Sequence, residues 1–143
     1  MGLRTRCAFL AIPALSIAFA AAANKSSDAP AEPHYDTATV VDLEMIVMQT
    51  REVAKGSPLA GLHLLARLES GRADSETLDV YLGPSEFMKL FDFTFHAGDR
   101  VEVIGSKVKL GAAPVILGRE LRRSDTTLYI RDQKGDPVWK YLL

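Results

Sequence analysis

His63, Leu65 and Arg67 on one stretch, with Asp79 and Tyr81 on the next, are the side chains whose types and spacing best suit chemistry. Alternate residues share one face of a strand. With the intervening hairpin centred on Ala73, Arg67 lies opposite Asp79 and Leu65 opposite Tyr81, all facing outward, and His63 lies next to Gly83. An imidazole, a guanidinium, a carboxylate and a phenol on one exposed strip suit recognition of a polar ligand or a peptide. The bland alternative is a cross-strand ion pair between Arg67 and Asp79, shielded by Tyr81 and contributing about 0.2–1 kcal/mol.

Other constellations are sparser. Arg119, Arg122, Arg123 and Arg131 intermix with Tyr129, Trp139 and Tyr141, a composition found on surfaces that bind single-stranded nucleic acid. Glu120, Asp125, Asp132 and Asp136 dilute that charge, so a salt-bridged edge is the preferred reading, with Trp139 sealing the barrel bottom. His34, His63 and His96 have no ligand spacing and are expected to be partly exposed. A metal-handling role centred on His63 is a third reading, and no metal site is assigned. Phosphate-loop, dinucleotide, zinc-protease and nucleophile-elbow motifs are absent, so no catalytic residue, enzymatic activity or cofactor is expected.

The elements that must position these residues are mostly strands. Residues 37–53 form a long strand, with Val41, Leu43, Met45 and Val47 at period two; Ile46 and Met48 make part of it apolar on both faces. Such a strand bends and serves two sheets. Residues 62–69 and 77–82 follow, joined by the loop SGRADS. GPSEFMKLF starts a short helix, with Gly83 at the cap, Pro84 in the first helical position, and Phe87, Leu90 and Phe91 as its buried stripe. Gly98-Asp99 turns the chain into an alternating strand interrupted by Gly105, which predicts a bulge or sharp bend. Strands over 114–123 and 128–131 complete the series, and DQKGDP at 132–137 is a strong turn. This order predicts an all-β fold, an OB-fold-like five- to six-stranded Greek-key barrel with one short helix between strands 3 and 4.

The first residues belong to something else. Arg4 and Arg6 precede 17 uncharged residues broken by Pro13, and Ala21-Ala22-Ala23 suits signal-peptidase cleavage. Residues 1–23 are therefore expected to be a signal peptide, 24–36 a flexible leader, and 37–143 the barrel. Cleavage would remove Cys7, the one cysteine, and would lower the 17 basic residues to 15 against 18 acidic, a balance of −3. A protein that neutralises phosphates normally carries a positive excess.

DVYLGP at 79–84, GDRVEVIGSKV at 98–108, ILGREL at 116–121 and LYIRDQKGDPVW at 128–139 resemble an uncharacterised family of exported bacterial domains with an OB-like core. The resemblance runs from Thr39 to Trp139. It implies export and a small barrel, without an activity to carry over. That family usually has Ala where this chain has Gly118. More distantly the plan is similar to small periplasmic OB-fold stress proteins, regarded as ligand-binding modules. The expected protein is a periplasmic or secreted, non-enzymatic binding module that recognises an envelope protein, peptide or small polar ligand, without a membrane span once the signal is cleaved. The alternative is a single-stranded nucleic-acid binder using Arg119, Arg122, Arg123, Arg131 and Trp139.

Overall fold

The computed structural model describes residues 30–72 and 74–143. The expected signal peptide, Cys7 and the hairpin centre Ala73 lie outside the described residues. Among the described residues there are six strands: β1 (Val40–Val53), β2 (Gly61–Leu68), β3 (Leu78–Gly83), β4 (Arg100–Leu110), β5 (Ala113–Arg123) and β6 (Thr126–Tyr129). One α-helix, α1 (Ser85–Leu90), joins β3 to β4, and single 3-10 turns cover Thr37–Thr39 and Val138–Tyr141. The sheet order is β3-β2-β1-β4-β5-β6, and a parallel pairing of β3 with β5 closes it into a barrel. The other strand pairs are antiparallel.

The long first strand behaves as its two-sided pattern predicts. Met45 to Val53 pair with β2, while Val40 to Ile46 pair with β4. A bulge between Val47 and Gln49 leaves Met48 outside the ladder, where the strand turns from one neighbour toward the other. The inward residues form one core: Met45 and Val47, Leu64 and Ala66, Val80 and Leu82, Val101 and Val103, Ile116 and Leu121. Phe87 and Met88 of α1 close one end of it.

Closure depends on β4 and β5. The ladder slips between Ile104 and Gly105: Ile104 faces Glu120 and Gly105 faces Gly118, so Arg119 is the extra residue. A Cβ on Gly105 would run into the Leu117 carbonyl and come within 2.9 Å of Ile116 Cγ2. The absence of a side chain therefore lets two backbones approach closely at the bend. At the same point the outer edge of β5 changes partner. Val115 to Leu117 pair with β3, and Glu120 to Arg123 pair with β6. The freed carbonyl of Arg119 accepts from the amides of Ile130 and Arg131 at 2.8 and 3.1 Å, which suspends the C-terminal segment beside the barrel.

Two local expectations are corrected. The helix begins at Ser85 with Pro84 as its N-cap, one residue later than Gly83 would set it. Its buried residues are Phe87 and Met88, whereas Leu90 and Phe91 are 59 % and 48 % exposed. Six helical residues make under two turns, and Asp92 reverses the chain with a φ of 51°, so the stripe ends before Leu90 can turn inward. The last strand is also earlier, at Thr126–Tyr129 instead of 128–131, because Ser124 (φ 55°) makes the turn tight.

Gly105→Ala should destabilise the fold by about 1–3 kcal/mol, the usual range for overpacking. Urea unfolding checks this: a loss well below that range would mean the β4–β5 bend tolerates a side chain.

Candidate ligand-binding cleft

The outward residues of β2 and β3 point out of the barrel as expected, but they do not form an exposed strip. The observed register sets Leu65 opposite Asp79 and His63 opposite Tyr81, with Leu62 opposite Gly83. The hairpin therefore pairs about Arg72, not Ala73. A shift of two residues preserves which side each residue faces. Arg67 moves away from Asp79 and reaches the Leu68 and Gly71 carbonyls at 3.4 Å. Leu65 and Arg67 are half-buried.

His63 and Tyr81 are the larger correction, at 1 % and 4 % exposed. Residues 54–60 fold back over the sheet, and Leu59, held at a φ of 54°, packs with Tyr81, Val115 and Leu117 in a second core outside the barrel. Tyr35, from the stretch expected to be a leader, and Trp139 join that cluster. His34 and His96 are exposed.

Under this cover the polar groups satisfy one another. His63 Nδ1 lies 2.7 Å from Asp79 Oδ1, and Nε2 lies 2.7 Å from the Leu59 carbonyl. A carbonyl only accepts, so Nε2 donates to Leu59. In the imidazolium form Nδ1 donates to Asp79 as well, and both ends of the ring are satisfied. Arg51 Nη2 donates to the other Asp79 oxygen at 3.0 Å. Tyr81 donates its hydroxyl proton to the Ala60 carbonyl at 2.8 Å. Burial, helped by the Glu32 charge and opposed by Arg131, pushes the Tyr81 phenol up to about 12. Arg51 and Leu59 escape sequence reasoning. Arg51 reaches the row by pairing with His63 across β1–β2, a register that depends on the Met48 bulge.

Beyond Tyr81 the same outer face opens into a cleft of about 570 Å³, lined among others by Glu32, Tyr35, Tyr81, Arg131, Lys134 and Trp139. The Tyr81 ring is a shared wall, 5.0 Å from the His63 ring centroid and 6.1 Å edge-on from Trp139. Trp139 fits against Gly83, which has a φ of +105°; a Cβ there would come within 2.7 Å of Trp139 Cζ3. The Arg131 guanidinium stands 5.1 Å over the Trp139 ring and 6.0 Å from the Tyr35 ring. Its Nη1 donates to the Gly135 carbonyl at 2.9 Å.

Of the five residues expected to contact nucleic acid, the structure brings together two, Arg131 and Trp139. Arg119 pairs with Glu120 at 3.3 Å, and Arg122 with Glu102 at 3.4 Å. Arg123 pairs with Asp99 at 3.5 Å and stacks 4.3 Å over Phe93. Among the described residues no group of three His, Cys, Asp or Glu side chains is gathered as a metal would require, and no helix is long and apolar enough to cross a membrane.

The model of the MamS/MamX magnetosome protein family matches residues 47–128. The chain belongs to that family. No curated protein and no solved structure matches it. The part matched to the MamS/MamX family holds Arg51, His63, Asp79 and Tyr81. Tyr35, Arg131 and Trp139 lie outside it, so the cleft joins one wall from the matched barrel to others from its flanks.

His63→Ala should cost about 1–3 kcal/mol by leaving buried hydrogen-bonding groups without partners, and Arg51→Ala, at a largely exposed pair, under about 1 kcal/mol. Equal losses in urea unfolding would overturn this ranking. In the folded protein Tyr81 keeps its proton up to about 12, whereas the unfolded chain loses it near 10. Tyr81 therefore adds stability that is fully present below about pH 10 and lost as pH rises through about 12. Tyr81→Phe should flatten that alkaline decline; an unchanged slope would show that Tyr81 does not cause it.

Proposed function

We propose that this chain is an exported, non-enzymatic binding module of OB-fold type. In this reading it serves the magnetosome or the surrounding cell envelope and recognises a partner protein, peptide or small polar ligand through the outer-face cleft. Arg4, Arg6, the uncharged run and the alanines that follow support export. Family membership supports the magnetosome setting. The strand connectivity, with a helix between β3 and β4 and closure through β3–β5, supports the OB-fold reading. A non-enzymatic role is supported by the satisfied state of the His63, Asp79 and Tyr81 groups, since a working acid or base must reach a substrate.

The single observation that carries the reading is a concave, aromatic-walled cleft with a charged side chain in its lining. Its volume falls in the usual range for small-ligand sites, and aromatic walls with a few polar groups are the usual composition. The strip on β2 and β3 contributes through Tyr81, with His63 and Asp79 supporting that wall from behind. A nucleic-acid surface has less support, because Arg119, Arg122 and Arg123 are each engaged by a carboxylate.

Trp139 is the one tryptophan of the chain, so its fluorescence reports the cleft directly. A screen of anionic, cationic and neutral small molecules and short peptides should give a saturable response with at least one class, and Tyr35→Ala should weaken it. A flat response across all classes, with the protein folded by circular dichroism, would refute the reading.

A further inference from the structure

We propose that the cleft takes a carboxylate carried on a short apolar or aromatic body, seated on the Nε–Nη2 edge of Arg131. This rests on the reading of the cleft as a binding site. A guanidinium has five N–H donors in a fixed plane, and Nε with the adjacent terminal nitrogen forms a fork that matches two carboxylate oxygens. In Arg131 the other terminal nitrogen, Nη1, is occupied by the Gly135 carbonyl. Nε is buried without an acceptor among the described residues. The edge suited to a carboxylate is therefore the one left without a protein partner.

The side chain is already held for this task. Arg131 bridges to Pro137, and its amide donates to the Arg119 carbonyl at 3.1 Å. Its guanidinium is stacked over Trp139 and beside Tyr35. Ordering a flexible arginine normally opposes binding, and here folding has largely done it. An acceptor on Nε would also remove the penalty of a buried unsatisfied donor, a gain that a neutral or cationic ligand does not bring.

The rest of the lining narrows the ligand. Arg131 and Lys134 line the same space as Glu32 and Asp136, so the formal charges balance. Glu32 and Asp136 attract Arg131 without pairing with it at hydrogen-bond distance. A single negative charge gains the fork at small repulsive cost, whereas a dianionic phosphate meets two carboxylates. Tyr35, Tyr81 and Trp139 provide flat apolar walls beside the fork. The Tyr81 hydroxyl already donates its hydrogen bond to the Ala60 carbonyl, so Tyr81 serves as a wall and not as a rival donor.

Two sources share this chemistry, a free small organic acid and the C-terminus of a peptide that ends in an apolar residue. The test titrates the full chain, by Trp139 fluorescence, with benzoate against benzamide and with a phenylalanine-terminated tripeptide as acid against amide. At least one acid should bind about tenfold or more tightly than its amide, a difference of about 1.4 kcal/mol. Arg131→Lys, which keeps the charge and removes the fork, should erase that preference. If this variant fails to fold, the acid–amide comparison on the unaltered protein decides alone. A benzoate preference assigns a free acid and a peptide-acid preference a chain terminus; either supports the proposal. Amides that bind as well as their acids, or an acid preference that survives in a folded Arg131→Lys, would overturn it. Binding of cationic or neutral ligands without acids would leave the cleft a binding site and remove only the carboxylate.

Discussion

The contact on which the rest depends is backbone against backbone, where Gly105 meets Leu117 at the β4–β5 bend. A β-sheet twists by default, and closing it over five strands needs extra bending at defined points. The bulge at Arg119 supplies that bend, and a side chain at position 105 would hold the strands apart. Closure through β3–β5 removes the open edges of those strands and encloses the apolar faces of all six. The same bulge hands β5 from β3 to β6 and frees the carbonyl that suspends Arg131. One local irregularity thus shapes the barrel and also places Arg131 beside the cleft.

A second constraint acts on the outside. The outer face of β2, β3 and β5 carries apolar residues, Val115 and Leu117, next to polar ones, His63 and Asp79. Leaving both in water would expose a patch, and burying both requires partners for every polar atom. Residues 54–60 do both: Leu59 covers the apolar residues, while the Leu59 and Ala60 carbonyls accept from His63 and Tyr81. The outward strip on β2 and β3 is the polar lining of a second small core, and the cleft proposed for recognition lies at its border.

The match to the MamS/MamX family ends at residue 128, just before the segment that completes the cleft. Most of the barrel and the His63–Asp79 pair lie within the match, which begins inside β1; Arg131 and Trp139 lie outside it.

Much of the plan was legible in the residues. Period-two patterns located the strands to within a few positions, because one buried and one solvated face impose alternation regardless of what packs against them. Gly105 announced its bulge, the two-sided apolar pattern of 37–53 announced a bent strand shared by two partners, and Trp139 after its Pro turn announced an anchor. Inward and outward facing on β2 and β3 was also correct, since a two-residue register shift leaves it unchanged. Exposure was not legible. Whether His63 meets water depends on where residues 54–60 fold and on which β1 residue the Met48 bulge brings beside it. Leu90 and Phe91 were misread for a related reason, because the helix ends where Asp92 reverses the chain. Sequence alone determined the alternation, the turns and the bend, which are local properties of the chain. Tertiary structure decided which outward groups are covered and which line a cleft, because that follows from contacts between segments far apart in sequence, such as Tyr35 with Gly135 and Leu59 with Leu117.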